Sequence, residues 1–279
     1  MLDRQKLMGV PELYILMKAL GKFHALSLAM KDQDPDSFQI MRSSVNEMLF
    51  NDDPLTSYLK LCDYVGKDVV ALTKEHLPHD TKYGNKMAQY QDTIYNRMKD
   101  LTTPKEEDEP YNVITHSDLW VSNFLFHYPE GISQPDSIKI LDYQGVRYGS
   151  PALDVTCVLL SSADKKIRNE HQESLLRTYH DSLSELLKEL GSDPEHAFPY
   201  HALKNQLKKY SEFGLLMTVV NVPLTLDPGP SAESSGAEES DGGGDFISSL
   251  KAMYRRKTKD CITRVLDVII EAVDNEYIQ

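Results

Sequence analysis

The sequence predicts an α+β fold that is mostly helical and carries one small β insertion. Apolar residues recur with helical spacing in both the first and the last third of the 279-residue chain. Short β-branched and apolar runs occur only between them, at 112–115, 123–128 and 137–143. The most unusual polar residues of the chain lie in this β-rich part, which we call the central segment (residues 112–154).

Helices are expected in most of the chain before the central segment. An amphipathic helix begins near Pro11, because proline suits the first helical turn, where its missing N–H would have no partner. Further helices are predicted in 35–62 with a break at 51–54, weakly in 64–74, and in 83–101. Residues 77–80 are predicted as a turn and 102–110 as a solvated loop.

Within the central segment, Gly, Pro and Asp residues in 129–136 predict a hairpin loop between two strands. The helical period then returns, and Gly and Pro mark helix boundaries. The predicted helices cover 152–162, 166–191, 200–220 and 246–275. Residues 227–245 are rich in Pro, Gly, Ser and Glu and have no aromatic residue before Phe246, so we predict disorder there.

Composition narrows the class of protein. The formal net charge of −13 argues against nucleic acid or an anionic membrane as a main partner, because both require a basic surface. Three cysteines without a Cys-x-x-Cys pair argue against a disulfide framework or a structural zinc site. The chain starts without an apolar run, and no apolar stretch reaches about 18 residues. We therefore expect a cytoplasmic protein with no membrane span.

Three polar residues of the central segment predict phosphoryl transfer. Asp118 follows a β-type run and opens a polar turn, where a carboxylate can accept a hydrogen bond from a hydroxyl group. Asn123 follows five residues later, and Asp142 ends the second strand of the hairpin. One carboxylate and one amide oxygen suit Mg²⁺, which takes few protein ligands and completes its shell with water and phosphate.

Each of these residues alone has an ordinary explanation. Most His-x-Asp sequences are a turn beside a surface carboxylate, and most aspartates at a strand end form caps or turns. Their order here is specific: His-x-Asp, four residues, Asn, a hairpin, an apolar strand and then Asp.

These residues resemble the ecdysteroid kinase-like (CHK kinase-like) family of the choline kinase and aminoglycoside phosphotransferase superfamily. The first matching stretch is His116-Ser117-Asp118-Leu119-Trp120-Val121-Ser122-Asn123. The second begins Asp142-Tyr143-Gln144 and continues through Arg147 to Asp154. Two further segments, 21–29 and 210–217, also match, and the resemblance extends over about residues 1–226.

The resemblance implies a protein-kinase-like C-terminal lobe, similar to that of the aminoglycoside phosphotransferases, in which the hairpin is a catalytic insert. It implies ATP-dependent phosphorylation of a small-molecule hydroxyl. Asp118 would be the catalytic base, Asn123 and Asp142 the Mg²⁺ ligands, and His116 would orient the catalytic loop. The acceptor would be an alcohol such as an ecdysteroid, and choline-like and aminoglycoside-like acceptors stay open.

Other positions keep two explanations. In the superfamily an aspartate at the position of Asp154 braces the catalytic-loop backbone, and the alternative is a plain helix N-cap. Arg147 and Trp120 either reach the acceptor pocket, or Arg147 is a solvated side chain and Trp120 a packed one. His24 is predicted to lie in the core. Ser117 departs from the glycine often found between the His and the Asp. Gln144 stands where protein kinases have glycine, but the pair Tyr143-Gln144 is close to the Phe-Gln pair usual in this family.

The resemblance also predicts the domain organisation. Residues 1–226 would form the kinase-like lobe, 227–245 a disordered acidic linker, and 246–279 a helix that packs on the same lobe. Family members carry a β-rich ATP-binding lobe ahead of this region. No Gly-rich strand–loop–strand precedes residue 112, so we expect the chain to lack that lobe.

Three functions are thus open. The chain is a truncated form of an active kinase, a catalytically inactive kinase-like binding protein, or a metal-dependent hydrolase built on His116 and Asp118. The hydrolase is the weakest alternative, because a two-metal site needs more clustered His and carboxylate groups than the sequence offers.

Overall fold

A computed structural model describes residues 7–50, 57–229 and 246–278. Before the central segment these residues form α1 (Val10–Gln33), α2 (Pro35–Ser43), α3 (Ser57–His76), α4 (Thr81–Ala88), α5 (Ile94–Thr102) and a 3₁₀ turn at Glu106–Tyr111. The central segment contains β1 (Val113–Thr115), β2 (Phe124–His127), β3 (Ser137–Ile140) and β4 (Arg147–Gly149), with 3₁₀ turns at Val121–Asn123 and Tyr143–Gly145. The remaining helices are α6 (Ala152–Ser162), α7 (Lys165–Leu190), α8 (Pro194–Ala197), α9 (Tyr200–Thr225), α10 (Phe246–Arg255) and α11 (Lys259–Asp274).

The chain divides into two compact units. Unit 1 comprises the described residues of Met1–Met48 and Asp100–Gly214, and unit 2 those of Leu49–Lys99 and Leu215–Gln279. The central segment lies wholly in unit 1. The predicted domain boundaries stay a prediction.

The framework of unit 1 is the pair of long helices α1 and α7. Their contacts include Tyr14 Oη donating to Ser174 Oγ at 2.7 Å and Ser182 Oγ donating to the Lys18 carbonyl at 3.0 Å. Asp164 caps the start of α7, and Gly191 ends it with a φ of +93°, which glycine adopts at little cost.

Two antiparallel strand pairs belong to unit 1. In one, β1 pairs with β4 and Ile114 faces Tyr148. In the other, β2 pairs with β3 and Leu125 faces Lys139. This second pair is the hairpin whose strands the sequence predicted, and its catalytic role stays a prediction.

The regular elements of unit 2, in the part that the structure describes, are all helices. Helix α10 packs on α3, and α11 packs on α4. Tyr254 of α10 is buried, and its hydroxyl donates to the Val219 carbonyl at 2.5 Å. Lys257, which follows α10, pairs with Asp68 of α3 at 2.7 Å.

Two predicted single helices are each divided in the structure, so these predictions were wrong in detail. The span 83–101 breaks between α4 and α5, where Tyr90 is buried. A Cβ on Gly66 of α3 would lie 2.6 Å from the Gln91 carbonyl oxygen, so α3 packs tightly against this break. The span 246–275 breaks at 256–258, where Thr258 caps α11 by accepting a hydrogen bond from the Cys261 N–H.

The predicted solvated loop at 102–110 is also wrong in part, because Glu106–Tyr111 forms a 3₁₀ turn around the buried Asp108. Three side chains of α9 donate to this carboxylate: Gln206 at 2.7 Å, Lys209 at 2.5 Å and Tyr210 at 2.6 Å. Burial raises the pKa of Asp108, but these three bonds outweigh it, so the pKa lies below its usual range.

The predicted disordered segment falls largely outside the described residues, since 230–245 are among those not described. Asp227, at its beginning, is buried. The carboxylate of Asp227 accepts two hydrogen bonds from the Arg256 guanidinium, at 2.7 and 2.8 Å.

Helix α1 is long and apolar enough, by length and composition, to cross a membrane, and 56% of its most apolar window is buried inside the molecule. A core helix and a signal sequence have the same properties, and the prediction of no membrane span stays a prediction.

Candidate active site

The loop between β1 and β2 begins with His116, whose ring is fully buried. Its Nε2 lies 2.9 Å from the Leu141 carbonyl oxygen, and its Nδ1 accepts a bond from the Asp118 N–H at 3.2 Å. Because a carbonyl only accepts, Nε2 carries the proton and Nδ1 is the acceptor of a neutral imidazole. His116 thus joins the backbone at Asp118 to the residue that precedes Asp142.

Asp118 and Asn123 are in direct contact. Asn123 Nδ2 donates to the Asp118 main-chain carbonyl at 2.8 Å and to Asp118 Oδ2 at 3.1 Å. With the amide nitrogen directed at Asp118, the amide oxygen is the group of Asn123 that is suited to a cation.

Asp142 approaches the same place from the end of β3. The Leu141 N–H donates to the Asn123 carbonyl at 2.9 Å, which positions the following residue beside Asn123. Asp142 has a φ of +64°, in the left-handed region, and its carboxylate is exposed and accepts a bond from Gln144 at 3.3 Å. A Cβ on Gly145 would lie 3.4 Å from the Asp118 Cβ, so this turn packs against Asp118.

The pKa of Asp118 is raised above its usual range, chiefly because the carboxyl group is removed from water. The charge of Asp142 acts in the same direction. Hydrogen bonds from Asn123 and Gln144 and the proximity of His116 oppose these effects but do not cancel them. Asp118 is therefore a stronger proton acceptor than an ordinary aspartate once it is ionised.

Asp154, in the first turn of α6, lies beneath the loop. Its Oδ2 accepts a bond from the His116 N–H at 2.7 Å, and its Oδ1 accepts one from the Ser117 N–H at 2.8 Å. The N-cap of α6 is Pro151, so Asp154 does not occupy the N-cap position. The carboxylate thus holds two consecutive amides of the loop, and what this contributes to activity stays a prediction.

Ser117 has a φ of +64°, a conformation that a residue with a Cβ adopts at a cost of about 1–3 kcal/mol. Its hydroxyl lies 2.7 Å from Thr115 Oγ1, and its N–H is held by Asp154. The position where superfamily members often have glycine is therefore one that requires a left-handed backbone.

His24 of α1 is buried, as the sequence predicted for a core residue, but it also contacts the site. Its Nε2 lies 3.2 Å from Asp154 Oδ2, and its Nδ1 lies 2.8 Å from the Tyr179 hydroxyl of α7. Sequence reasoning did not assign Tyr179 to the site. Its helical spacing indicated only a buried face of α7, and a sequence carries no signal for which buried histidine a tyrosine contacts.

Of the two candidate acceptor-pocket residues, Trp120 lies in the loop and Arg147 lies on β4. Arg147 on β4 is buried, and its guanidinium pairs with Glu47 at 3.0 Å. Trp120 is half-buried, and its main-chain N–H donates to the Asp118 carbonyl at 3.2 Å. The packing of Arg147 contradicts the solvated alternative, and the acceptor role of both residues stays a prediction.

The donor set fits Mg²⁺ in its chemistry. Asp142 offers an exposed carboxylate and Asn123 an amide oxygen, and Mg²⁺ in phosphoryl-transfer sites takes one or two such ligands beside phosphate oxygens. Among residues 7–50, 57–229 and 246–278 there is no group of three or more His, Cys, Asp or Glu side chains placed to hold a metal ion by themselves.

The fold is mostly helical, which is consistent with a kinase-like class of protein, and the comparison with protein families supports that class. The model of the ecdysteroid kinase-like family matches residues 1–192. The chain therefore belongs to the ecdysteroid kinase-like family, which suggests a kinase-like small-molecule phosphotransferase. Neither curated proteins nor solved structures yield a match.

Proposed function

We propose that this protein transfers the γ-phosphoryl group of ATP to the hydroxyl of a small alcohol such as an ecdysteroid. One observation carries the proposal: Asp118, Asn123 and Asp142 are brought together by contacts that meet at Leu141. The Leu141 carbonyl accepts a hydrogen bond from the His116 ring, and the Leu141 N–H donates one to the Asn123 carbonyl. Membership in the ecdysteroid kinase-like family supports the same reaction class.

In this proposal Asp118 is the base. It accepts the proton of the acceptor hydroxyl while that oxygen forms a bond to the γ-phosphorus, and the bond from the γ-phosphorus to the β–γ bridging oxygen breaks, releasing ADP. Asn123 and Asp142 would hold Mg²⁺, which supplies charge neutralisation for the phosphate oxygens when bound. The raised pKa of Asp118 favours its role, because a base works best with a pKa nearer the working pH.

The remaining site residues orient the base. The neutral ring of His116 accepts from the Asp118 N–H, and Asp154 holds the two amides before it. Such a loop keeps the Asp118 carboxylate in one place, which is the contribution that phosphoryl transfer needs most from a protein.

The test is ATP-dependent phosphorylation of a panel of alcohols by the full chain, with and without Mg²⁺, followed by mass spectrometry of the product. The panel contains an ecdysteroid, choline and an aminoglycoside. We expect Asp118→Asn to lower the turnover rate by about 10²–10⁴-fold, as the loss of a general base does. Asp142→Ala is expected to abolish the Mg²⁺-dependent thermal shift caused by ATP.

Asp136→Asn is the matched control, because Asp136 is an exposed aspartate of the same hairpin, paired with His127 at 2.7 Å. It should leave both turnover and the thermal shift unchanged. Equal turnover in wild type and Asp118→Asn would refute the base assignment. An inactive binding protein would instead show no product from any alcohol.

A further inference from the structure

Tyr179 is the far end of a hydrogen-bonded chain that reaches the candidate catalytic loop through three elements of unit 1. From α7 the Tyr179 hydroxyl contacts His24 of α1, and His24 contacts Asp154 of α6. Asp154 in turn holds the amides of His116 and Ser117. All of the side chains that form this chain are buried.

We infer that Tyr179 is a positioning residue, which fixes His24 as its Nε2–H tautomer so that His24 holds Asp154 in the orientation that braces the loop. This inference rests on the proposed function, since it assigns a role in the same site. Tyr179 touches no reacting atom and acts only through His24 and Asp154.

Hydrogen-bond geometry decides the proton positions. His24 Nε2 faces a carboxylate oxygen and therefore carries a proton. If Nδ1 were also protonated, the Tyr179 hydroxyl proton would lose the acceptor that it has now, which is costly in a buried place. The neutral Nε2–H ring is therefore the form in which both ring nitrogens and the Tyr179 hydroxyl proton all have hydrogen-bond partners.

The charge states at the two ends agree with this arrangement. Burial and the charge of Asp154 raise the pKa of Tyr179 well above its usual value, so the phenol keeps its proton. Burial also raises the pKa of Asp154, but hydrogen bonds from His24 and from the His116 N–H, together with the proximity of the two histidines, outweigh it. The pKa of Asp154 is therefore lowered, and Asp154 is ionised. A neutral donor thus stands at one end and an anion at the other.

The loop needs this support because of Ser117. Its φ of +64° is unfavourable for a residue with a side chain, and the bond to Asp154 Oδ1 is one of the contacts that hold it there. Without the Tyr179 proton, His24 can exchange its tautomer and present a lone pair to Asp154. The carboxylate would then reorient, and the bracing of residues 116 and 117 would weaken.

Tyr14 provides a matched control. It also lies on the α1–α7 interface, and its hydroxyl donates to Ser174 at 2.7 Å. Tyr14→Phe therefore removes one hydroxyl hydrogen bond between the same two helices without touching His24. A role of Tyr179 in helix packing alone predicts similar behaviour of Tyr14→Phe and Tyr179→Phe.

The experiment measures the imidazole ¹⁵N shifts of His24 and the amide hydrogen exchange of Ser117 in the full chain. We expect the Nε2–H tautomer in wild type and in Tyr14→Phe, and a tautomer mixture with faster Ser117 exchange in Tyr179→Phe. For phosphoryl transfer, we expect Tyr179→Phe to lower kcat by about three- to tenfold, the effect of one lost hydrogen bond, with KM for ATP unchanged.

A doubly protonated or Nδ1–H ring of His24 in wild type would overturn the inference, and this measurement needs no variant to fold. Unchanged His24 shifts and Ser117 exchange in Tyr179→Phe would also overturn it. If wild type transfers no phosphate, the proposed function fails, and the tautomer and exchange measurements then decide the inference by themselves.

Discussion

At the scale of single residues, Asp118 in its proposed role as base meets two opposing requirements. A base must be ionised at the working pH, yet Asp118 lies in a place that disfavours its charge, so its pKa is raised. The sequence identified this residue from its neighbours in the chain. It could not reveal the raised pKa, because this depends chiefly on the removal of the carboxyl group from water in the folded chain and on the nearby charge of Asp142.

The raised pKa predicts that Asp118→Asn stabilises the fold. Below the pKa of an unfolded aspartate both states are protonated, so the substitution has little electrostatic effect there. As the pH rises through the raised folded-state pKa, wild type loses stability that the neutral amide does not lose. The difference in free energy of unfolding, measured in urea at several pH values, should therefore grow with pH in favour of Asp118→Asn.

For Asp136→Asn, the difference in free energy of unfolding from wild type should change with pH in the opposite direction. The pKa of Asp136 is lowered, chiefly by the hydrogen bond with His127, so its ionised form stabilises the fold above the unfolded pKa. For Asp118→Asn, a difference in free energy of unfolding from wild type that does not change with pH would contradict the raised pKa of Asp118.

Ser117 is a departure from the superfamily pattern that the structure explains. From the sequence it is only a small residue at a position where the superfamily often has glycine. The structure shows a left-handed backbone at this position, held by Asp154 and by a hydroxyl contact with Thr115. Serine is thus accommodated through hydrogen bonds that compensate part of a steric cost that glycine would not have.

At the scale of elements, the close approach of α1 and α7 depends on Gly21. A Cβ on Gly21 would overlap the Tyr179 carbonyl oxygen and lie 3.1 Å from the Leu183 nitrogen. His24 lies one helical turn further along α1, on the same face. The short distance between these helices at Gly21 therefore also brings His24 within hydrogen-bond distance of Tyr179.

Gly21→Ala is expected to destabilise the protein by about 1–3 kcal/mol, because the added methyl group must push backbone atoms apart. Equilibrium unfolding in urea measures the effect. Gly84→Ala is the control, since its Cβ would meet only the Lys74 side chain at 3.4 Å. It should be neutral or stabilising by up to about 1 kcal/mol, the gain in helix propensity. Equal effects at the two glycines would contradict the packing argument.

Helix boundaries were the least predictable feature of the elements. Periodicity predicted helical structure on both sides of the central segment, and the structure confirms it. The breaks after α4 and after α10 had no strong local signal. Burial of Tyr90 against α3 accompanies one break, and the pairing of Arg256 and Lys257 with distant carboxylates accompanies the other. Such contacts outweigh helix propensity, which is a weak preference.

At the scale of the whole molecule, each compact unit is assembled from separate stretches of the chain. In unit 2, the ion pair between Asp227 and Arg256 joins the residues after α9 to the residue after α10. The Asp227 side chain is only 5% exposed, whereas that of Arg256 is 31% exposed. The pair therefore ties the chain just after α9 to the chain just after α10.

Arg256→Ala should cost about 2–3 kcal/mol, because it removes the guanidinium from a buried carboxylate; partial exposure of Arg256 keeps the loss below that of a fully buried pair. Lys67→Ala is the control in the same unit, since Lys67 and Asp92 form a pair in which both side chains are 64% exposed. It should change the free energy of unfolding by less than about 0.5 kcal/mol. A similar loss in both variants, measured by urea unfolding, would argue against the buried pair.

By itself, the sequence determined that the fold is mostly helical and which family the chain belongs to, and it singled out the candidate site residues His116, Asp118, Asn123, Asp142 and Asp154. These follow from local patterns, because periodicity and motif spacing are properties of neighbouring residues. Only the tertiary structure decided what surrounds those residues: the raised pKa of Asp118, the left-handed Ser117 and the contact from Tyr179 through His24 to Asp154. Residues 24, 154 and 179 are far apart in the chain, and only the packing of three helices brings them within hydrogen-bond distance.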